Sequence, residues 1–379
     1  MTKLFFIKDI KKSGTSCSSF EGNKKYIATA DIQNSEIVNY EIVNYENKPS
    51  RANLIAPEDS VLFAKMQGTN KVIRIDNETK NNIYSTGFYA FKDERILPDY
   101  LKHYLSSRFF NDIKDKNCQG ATMKAINDDG LSKISINVPE LEEQQEIVKK
   151  LNVLTSLIDK NKQIIENYSQ LVKSQFIEMF GTLTNNPHNF TISTIGQNCL
   201  KVTDGKHGGC SSQENSGYYF IGAREIYDEE VHYQKAPQIT KTDFEKDYKR
   251  CNCEQGDFVI VNTGATIGKS AILKDEKTTM TLLQKSVALI KPNKNLLNAE
   301  FIKFWFNTNP QIYKVENSSA QPNLLLSQIN KTKIIVPPIE LQNQFADFVK
   351  HIDKLKFTLK QTLEKLENCY HSLMQEYFE

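Results

Sequence analysis

The sequence of 379 residues contains no run of some twenty apolar residues, so nothing in it reads as a membrane span. The opening stretch, Met1 to Ile7, runs at once into Lys8 and Asp9, and no small-residue cleavage site follows. It is too short and too soon charged for a secretory signal. The seven cysteines (17, 118, 199, 210, 251, 253 and 369) are odd in number and scattered, which reads as reduced thiols in a cytoplasm. No C-x-x-C pair occurs. His207, Cys210, Cys251 and Cys253 fall in one region, but Cys251-Asn252-Cys253 is too tight for the usual zinc-ligand turn.

Catalytic signatures are scarce as well. Asn262 to Ser270 (NTGATIGKS) looks at first like a phosphate-binding loop, but three residues separate Gly264 from Gly268 where that motif needs four. Asp76 to Lys80 (DNETK) contains the Glu-x-Lys that some metal-dependent nucleases use, and it reads better as a solvated turn because the second half of the chain has no counterpart. The six histidines are dispersed, with no acid–base dyad, nucleophile elbow or metal-ligand helix among them. The Asn/Asp-Pro-Pro-aromatic motif of amino-group methyltransferases is missing. The chain gives no sign of carrying out chemistry by itself.

What the sequence does have is a repeat. The block from Pro98 to Gly181 recurs as Ala299 to the C-terminus. Lys133 to Gln144 (KISINVPELEEQ) aligns with Lys331 to Gln342 (KTKIIVPPIELQ), and Asp99 to Leu105 (DYLKHYL) aligns with Glu300 to Phe306 (EFIKFWF). Each copy ends in a long helical pattern. After Pro139, acids fill the first turn, and apolar residues recur at Ile147, Leu151, Leu154, Ile158, Ile165, Tyr168, Val172 and Met179, with Asn161 and Gln175 in the skipped places. The second pattern runs through Ile352, Leu355, Leu359, Leu363, Leu366, Tyr370, Leu373 and Tyr377. Each helix is about 40 residues, hence roughly 60 Å long, and two such seams most simply bury each other as an antiparallel coiled coil.

The expected architecture is therefore α+β with a pseudo-twofold internal repeat. Residues 1–138 and 183–337 form globular modules, and residues 139–182 and 338–379 form helical spacers. Formal charges over these four segments, in the order 1–138, 139–182, 183–337 and 338–379, run +3, −2, +3 and −2. Mildly basic modules between acidic helices suit a nucleic-acid binder whose spacers stay clear of phosphate. Within the modules, Tyr26 to Ile32 resembles Phe220 to Ile226, and Ser60 to Lys65 resembles Asp257 to Asn262. Both pairs read as buried strands followed by polar turns. The loops diverge, as two related surfaces reading different ligands would require.

With these pieces in place, the chain resembles the specificity subunit of type I restriction–modification systems over nearly its whole length. The resemblance rests on Val138 to Val148 and Val336 to Gln342, on Gly120-Ala121-Thr122, on Asp204-Gly205-Lys206-His207, and on Gly256 to Val259 leading into Thr263 to Lys269. It implies two target recognition domains, each reading half of a bipartite DNA site, with the helix pair as a ruler between them. It also implies double-stranded DNA and two modification subunits as partners, joined by restriction subunits. S-adenosylmethionine is expected on the modification subunit, ATP and Mg on the restriction subunit, and no cofactor on this chain. The first module departs from the pattern, with Ser13 to Ser19 standing roughly where the Asp-Gly-x-His loop would be and Met66 to Lys71 replacing the Thr-Gly-Ala-Thr loop.

Candidate DNA contacts in the second module are Lys206, His207, Asn262, Thr263, Lys269, Gln284 and Lys285. The analogous set in the first is Lys24, Lys25, Lys65, Gln67, Asn70 and Lys71. Lysines suit phosphates, whereas Gln, Asn and His suit base edges. The competing readings are a self-sufficient DNA-modifying enzyme with an unrecognised site and a two-headed protein-binding scaffold.

Overall fold

In the computed structural model, which describes residues 3–33, 35–309, 312 and 323–379, the chain divides into two compact units. One comprises residues 1–163 with 360–379, and the other residues 164–359. The helix α3 (Leu141–Phe180) contributes its first part to one unit and its last part to the other. The helix α6 (Ile339–Phe378) is likewise shared.

In the first unit the order is β1 (Lys3–Phe6), β2 (Val61–Ala64), β3 (Val72–Arg74), β4 (Phe88–Phe91), α1 (Pro98–Ser106), α2 (Arg108–Lys116) and β5 (Ser135–Val138), then the start of α3. A further five-stranded sheet includes Lys24–Ile27, which pairs in parallel with Ile83–Ser85. The second unit runs through β6 (Thr191–Thr194), β7 (Cys199–Asp204), α4 (Lys241–Asp247), β8 (Phe258–Val261), β9 (Ser270–Ile272), β10 (Val287–Pro292), α5 (Ala299–Thr308) and β11 (Lys333–Val336) to the start of α6. The run Phe258-Val259-Ile260-Val261 is fully buried, as expected for a strand covered on both faces.

The repeat seen in the sequence is physical down to single hydrogen bonds. β1 pairs antiparallel with β5, and β6 pairs the same way with β11. Tyr104 Oη donates to the Ser135 carbonyl at 2.7 Å, and Trp305 Nε1 donates to the Lys333 carbonyl at 3.0 Å. The strand Lys24–Ile27 and its counterpart Tyr219–Ile221 each pair in parallel with a later strand. Each then enters a short 3-10 turn capped by an acid, with Asp31 accepting from the Ala28 N–H and Glu225 from the Gly222 N–H, both at 2.8 Å.

The same identity explains the Pro-x-x-x-x-Gln signature at the head of each long helix. Gln144 and Gln342 are both 0 % exposed. Gln144 Nε2 donates to the carbonyls of Arg95 (2.9 Å) and Pro139 (2.8 Å), and its Oε1 accepts from the Leu97 N–H at 2.8 Å. Gln342 makes the matching set with Leu296, Pro337 and the Asn298 N–H. A primary amide offers two donors and an acceptor at one point, which is what ties helix start, preceding strand and α1 or α5 together.

Each unit closes its core with the long helices. In the first, Ile147 and Leu151 of α3 and Met374 and Phe378 of α6 join Phe63, Phe91, Tyr100, Tyr104 and Phe110 in one cluster. Buried His103 spans to both helices, with Nε2 2.8 Å from Asn152 Oδ1 and Nδ1 3.3 Å from Tyr370 Oη, and burial lowers its pKa. In the second, Phe176 and Phe180 of α3 meet Phe345 of α6 and Phe301 of α5, with ring centroids 4.9–5.6 Å apart. The contacts run antiparallel in both units: Lys162 pairs with Glu367 at 2.9 Å in one, and Lys356 bonds Ser169 at 3.0 Å in the other.

The expected seam residues are buried or half-buried throughout. One point differs. Phe176 and Phe180 stand outside the four–three pattern yet carry the α3 end of the second core, because there α3 packs on a domain as well as on a helix. Half-buried Asn161, in a skipped place of the pattern, donates to the Leu157 carbonyl of its own helix at 2.9 Å. α3 stops at Gly181, whose N–H still bonds the Ile177 carbonyl at 2.8 Å and whose φ of +72° turns the following chain out of the helix.

Replacing Gln144 or Gln342 by Leu strands a buried N–H and two carbonyls at either site. Each substitution is expected to lower the unfolding free energy by about 2–4 kcal/mol, by a similar amount in the two copies, in a denaturant titration. A loss below about 0.5 kcal/mol at either would show that the amide is not a structural tie.

Candidate nucleic-acid interface

In the second unit, four strands of one sheet are ordered β7, β10, β8, β9. Antiparallel pairing places the end of β7, the end of β8, the start of β9 and the start of β10 along one rim, with Asp204 opposite Ala288, Val261 opposite Val287 and Ile260 opposite Ser270. The loops 205–209, 262–269 and 284–286 all leave from that rim. All seven residues expected in the second module lie in these three loops.

The loops are hydrogen-bonded to one another. The Lys206 N–H donates to the Leu283 carbonyl at 2.7 Å, the Lys285 N–H to the Lys206 carbonyl at 3.0 Å, and the Asn262 N–H to the Ser286 carbonyl at 3.0 Å. Gly205 passes so close to this turn that an added Cβ would stand 2.1 Å from the Leu283 carbonyl oxygen. Gly208 (φ +91°) and Gly209 form an open tip, with nothing within 4 Å of an added Cβ.

The side chains divide by environment. His207, Lys269 and Lys285 are exposed. Gln284 is half-buried over Gly222. Thr263 Oγ1 donates to Asn323 Oδ1 at 3.1 Å. Asn262 is buried, and its Oδ1 has no hydrogen-bond partner among the described residues. Lys206 forms an ion pair with Asp247, which raises its pKa. Asp204, also buried, accepts from Arg250 Nη2 through Oδ1 and lies 3.1 Å from His207 Nε2 through Oδ2. Burial opposes its ionisation, but the bonds from Arg250 and His207 hold its carboxyl below the ordinary range.

The first unit builds its rim differently. Lys65 directly follows β2, as Asn262 follows β8, and its Nζ donates to the Thr86 carbonyl at 2.9 Å. It sits 4.2 Å from the Tyr89 ring centroid, with Lys12 on the same ring at 4.9 Å. Asp128 Oδ1 ties the group by accepting from Lys12 at 2.5 Å and from Tyr89 Oη at 2.8 Å. Burial, then the charge of Lys12, lowers the Lys65 pKa.

The turn between β2 and β3 is anchored inward. Gln67 Nε2 donates to the Asp115 carbonyl (3.1 Å), Asn70 Nδ2 to the Ser106 carbonyl (2.9 Å) and Lys71 Nζ to the Ala30 carbonyl (3.2 Å). Beneath them, Lys114 is 1 % exposed and donates to the Thr69 carbonyl and to Asn111 Oδ1. Burial lowers its pKa. Lys24 and Lys25 are not part of this group. They begin their strand, at the end of the parallel pair away from Thr86, and stack on Phe20 (5.1 Å) and Tyr40 (4.4 Å).

Lys12, Tyr89 and Asp128 in the first unit, and Asp247 and Arg250 in the second, belong to these clusters but carry no signal in the sequence. Their partners lie tens of residues away along the chain, and none of these five sits in a recognisable motif; Asp204 is the exception, since it opens the Asp-Gly-Lys-His run.

Comparison with known proteins adds a family. The family model described as "Type I restriction modification DNA specificity domain" matches twice, at residues 3–167 and 202–368. The chain is 21 % identical to the type I restriction enzyme EcoKI specificity subunit of Escherichia coli (strain K12), over 85 % of this chain and 73 % of that subunit. It is 27 % identical to the HindI specificity subunit of Haemophilus influenzae, over 42 % of this chain but only 36 % of that subunit's length. Among solved structures, a chain of a type I R-M system aligns with a TM-score of 0.62 at 17 % identity, covering 99 % of this chain and 97 % of that one. The S subunit of a type I restriction–modification system from M. genitalium aligns with a TM-score of 0.54 at 16 % identity, covering 100 % and 96 %. At these identities the structural likeness speaks to the fold.

Two of the three glycines of the 205–209 loop, Gly205 and Gly209, should respond differently. Gly205→Ala forces a methyl into the Leu283 carbonyl and is expected to cost about 1–3 kcal/mol. Gly209→Ala meets open space and should stay within about 0.5 kcal/mol of the parent. Paired thermal unfolding curves check this, and equal effects would contradict the close approach at Gly205.

Proposed function

This chain belongs to the type I restriction–modification DNA specificity family, and from that premise we propose that it is the non-catalytic subunit that selects the DNA target of such a complex. The observation that carries the reading is the double match of one specificity domain to the two halves of the chain. Residues 1–138 and 183–337 each read one half of a bipartite double-stranded site. Residues 139–182 and 338–379 set the separation of the half-sites and dock two modification subunits. S-adenosylmethionine belongs with those subunits, and ATP and Mg with restriction subunits. Among the described residues no helix is long and apolar enough to cross a membrane, and the chain acts on DNA in the cytoplasm.

Support for two separate readers comes from the two rims. A shared scaffold carries a glycine-tipped loop in one unit and a lysine–tyrosine group in the other, so the half-sites differ in sequence. In the second domain, exposed Lys269 and Lys285 contact phosphates, and His207, Gln284, Asn262 and Thr263 face or shape the base edges. In the first, Lys65 and Lys71 take the phosphate role beside Gln67 and Asn70, and Lys24 and Lys25 reach flanking phosphates.

Removing one heptad from both long helices tests the spacing role. It shortens them by about 10 Å, equivalent to roughly three base pairs. Selection of bound DNA from a random library, using the chain with its modification subunits, should recover the same half-sites with a shorter gap. Recovery of the original gap would sink the ruler.

A further inference from the structure

The loop 204–211 of the second unit is suspended from a single short segment at several points. The Asp204 carboxylate accepts from Arg250 Nη2, and Arg250 Nε also donates to the backbone carbonyls of Asp204 (2.9 Å) and Gly205 (2.8 Å). Lys206 pairs with Asp247, and its side chain is only 13 % exposed. Beyond the glycine tip, Asp243 accepts from the Ser211 N–H at 2.6 Å. The segment that holds these points is itself anchored. Thr240 caps α4, and Phe244 packs between Tyr218 and Tyr248 in tilted ring contacts with centroids 4.6 and 4.7 Å apart.

This arrangement reassigns charges that would otherwise be counted as DNA contacts. Lys206 is paired with Asp247 within the protein, and Arg250, 41 % exposed, directs Nε to the loop carbonyls and Nη2 to Asp204, with His207 Nε2 at 3.3 Å. The open part is the tip, with His207 beside it and no side chains on Gly208 and Gly209. A loop of two glycines is otherwise free to sample many conformations, and base readout requires a fixed one. The geometry points to Arg250, Asp247 and Lys206 as positioning residues that hold the 204–211 loop in the shape that reads the second half-site, with Lys206 making no phosphate contact.

The proposal rests on the DNA-specificity reading and can be separated from it. The complex with modification subunits is assayed on its two-part site and on sites carrying a single base change in either half, across a salt series. Asp247→Asn is the most informative variant. It removes a negative charge beside DNA, so simple electrostatics calls for equal or tighter binding with discrimination intact. A clamp instead calls for discrimination at the second half-site to fall about ten-fold or more, with the first half-site unchanged. Arg250→Lys, which keeps the charge but loses the forked donor, should do the same. Lys206→Gln should leave the slope of log K against log salt unaltered, whereas a phosphate contact would reduce it by about one.

Retained discrimination in Asp247→Asn and Arg250→Lys would overturn the proposal. So would equal loss at both half-sites, or a reduced salt slope in Lys206→Gln. If the unaltered complex shows no sequence preference at all, the specificity reading fails, and the clamp fails with it.

Discussion

Neither unit has a complete core without the long helices. Phe176, Phe180 and Phe345 in one unit, and Leu151, Met374 and Phe378 in the other, sit in the same clusters as the domain aromatics. Burying a large aromatic side chain removes about 150–250 Å² from water, so these are substantial parts of each core. The helices are therefore structural members of the domains as well as connectors. A change at a helix end is felt in the domain core, and the buried glutamines at the helix heads carry the same coupling through hydrogen bonds.

That constraint leaves the loop ends of the sheets free to vary. Although the larger sheets of the two units differ in strand number, the β1–β5 and β6–β11 pairings, the capped 3-10 turns and the Gln ties repeat between them. The rims do not. One unit hangs a glycine-tipped loop on Arg250 and Asp247, and the other groups Lys12, Lys65, Tyr89 and Asp128. A fixed scaffold with interchangeable rims lets a protein change one specificity without refolding the other.

Much of the architecture was legible in the sequence because it is written in periodic and repeated signals. The four–three seams gave both long helices, and the Val-Pro-x-x-x-x-Gln repeat located their heads. The rim was partly legible. Asn262, Lys269, Gln284 and Lys285 lie on the rim, in turns beside strands that the sequence marks by apolar runs. The roles of individual side chains were not. Lys206 reads as a free cation until Asp247, 41 residues on, is brought beside it. Lys24 and Lys25 read as part of the first rim until strand pairing puts them at the other end of their sheet. Phe176 and Phe180 escaped the seam because their partners come from a domain, and a helix-period search sees only another helix.

On the function proposed above, two domains in this chain select one interrupted DNA sequence. Comparing adenine methylation across the host genome with and without the gene tests it most directly. A single two-part motif, with a fixed gap of unspecified bases, is expected to lose its methylation when the gene is removed. Loss of a continuous motif, or no loss while the modification subunits are present and active, would contradict it.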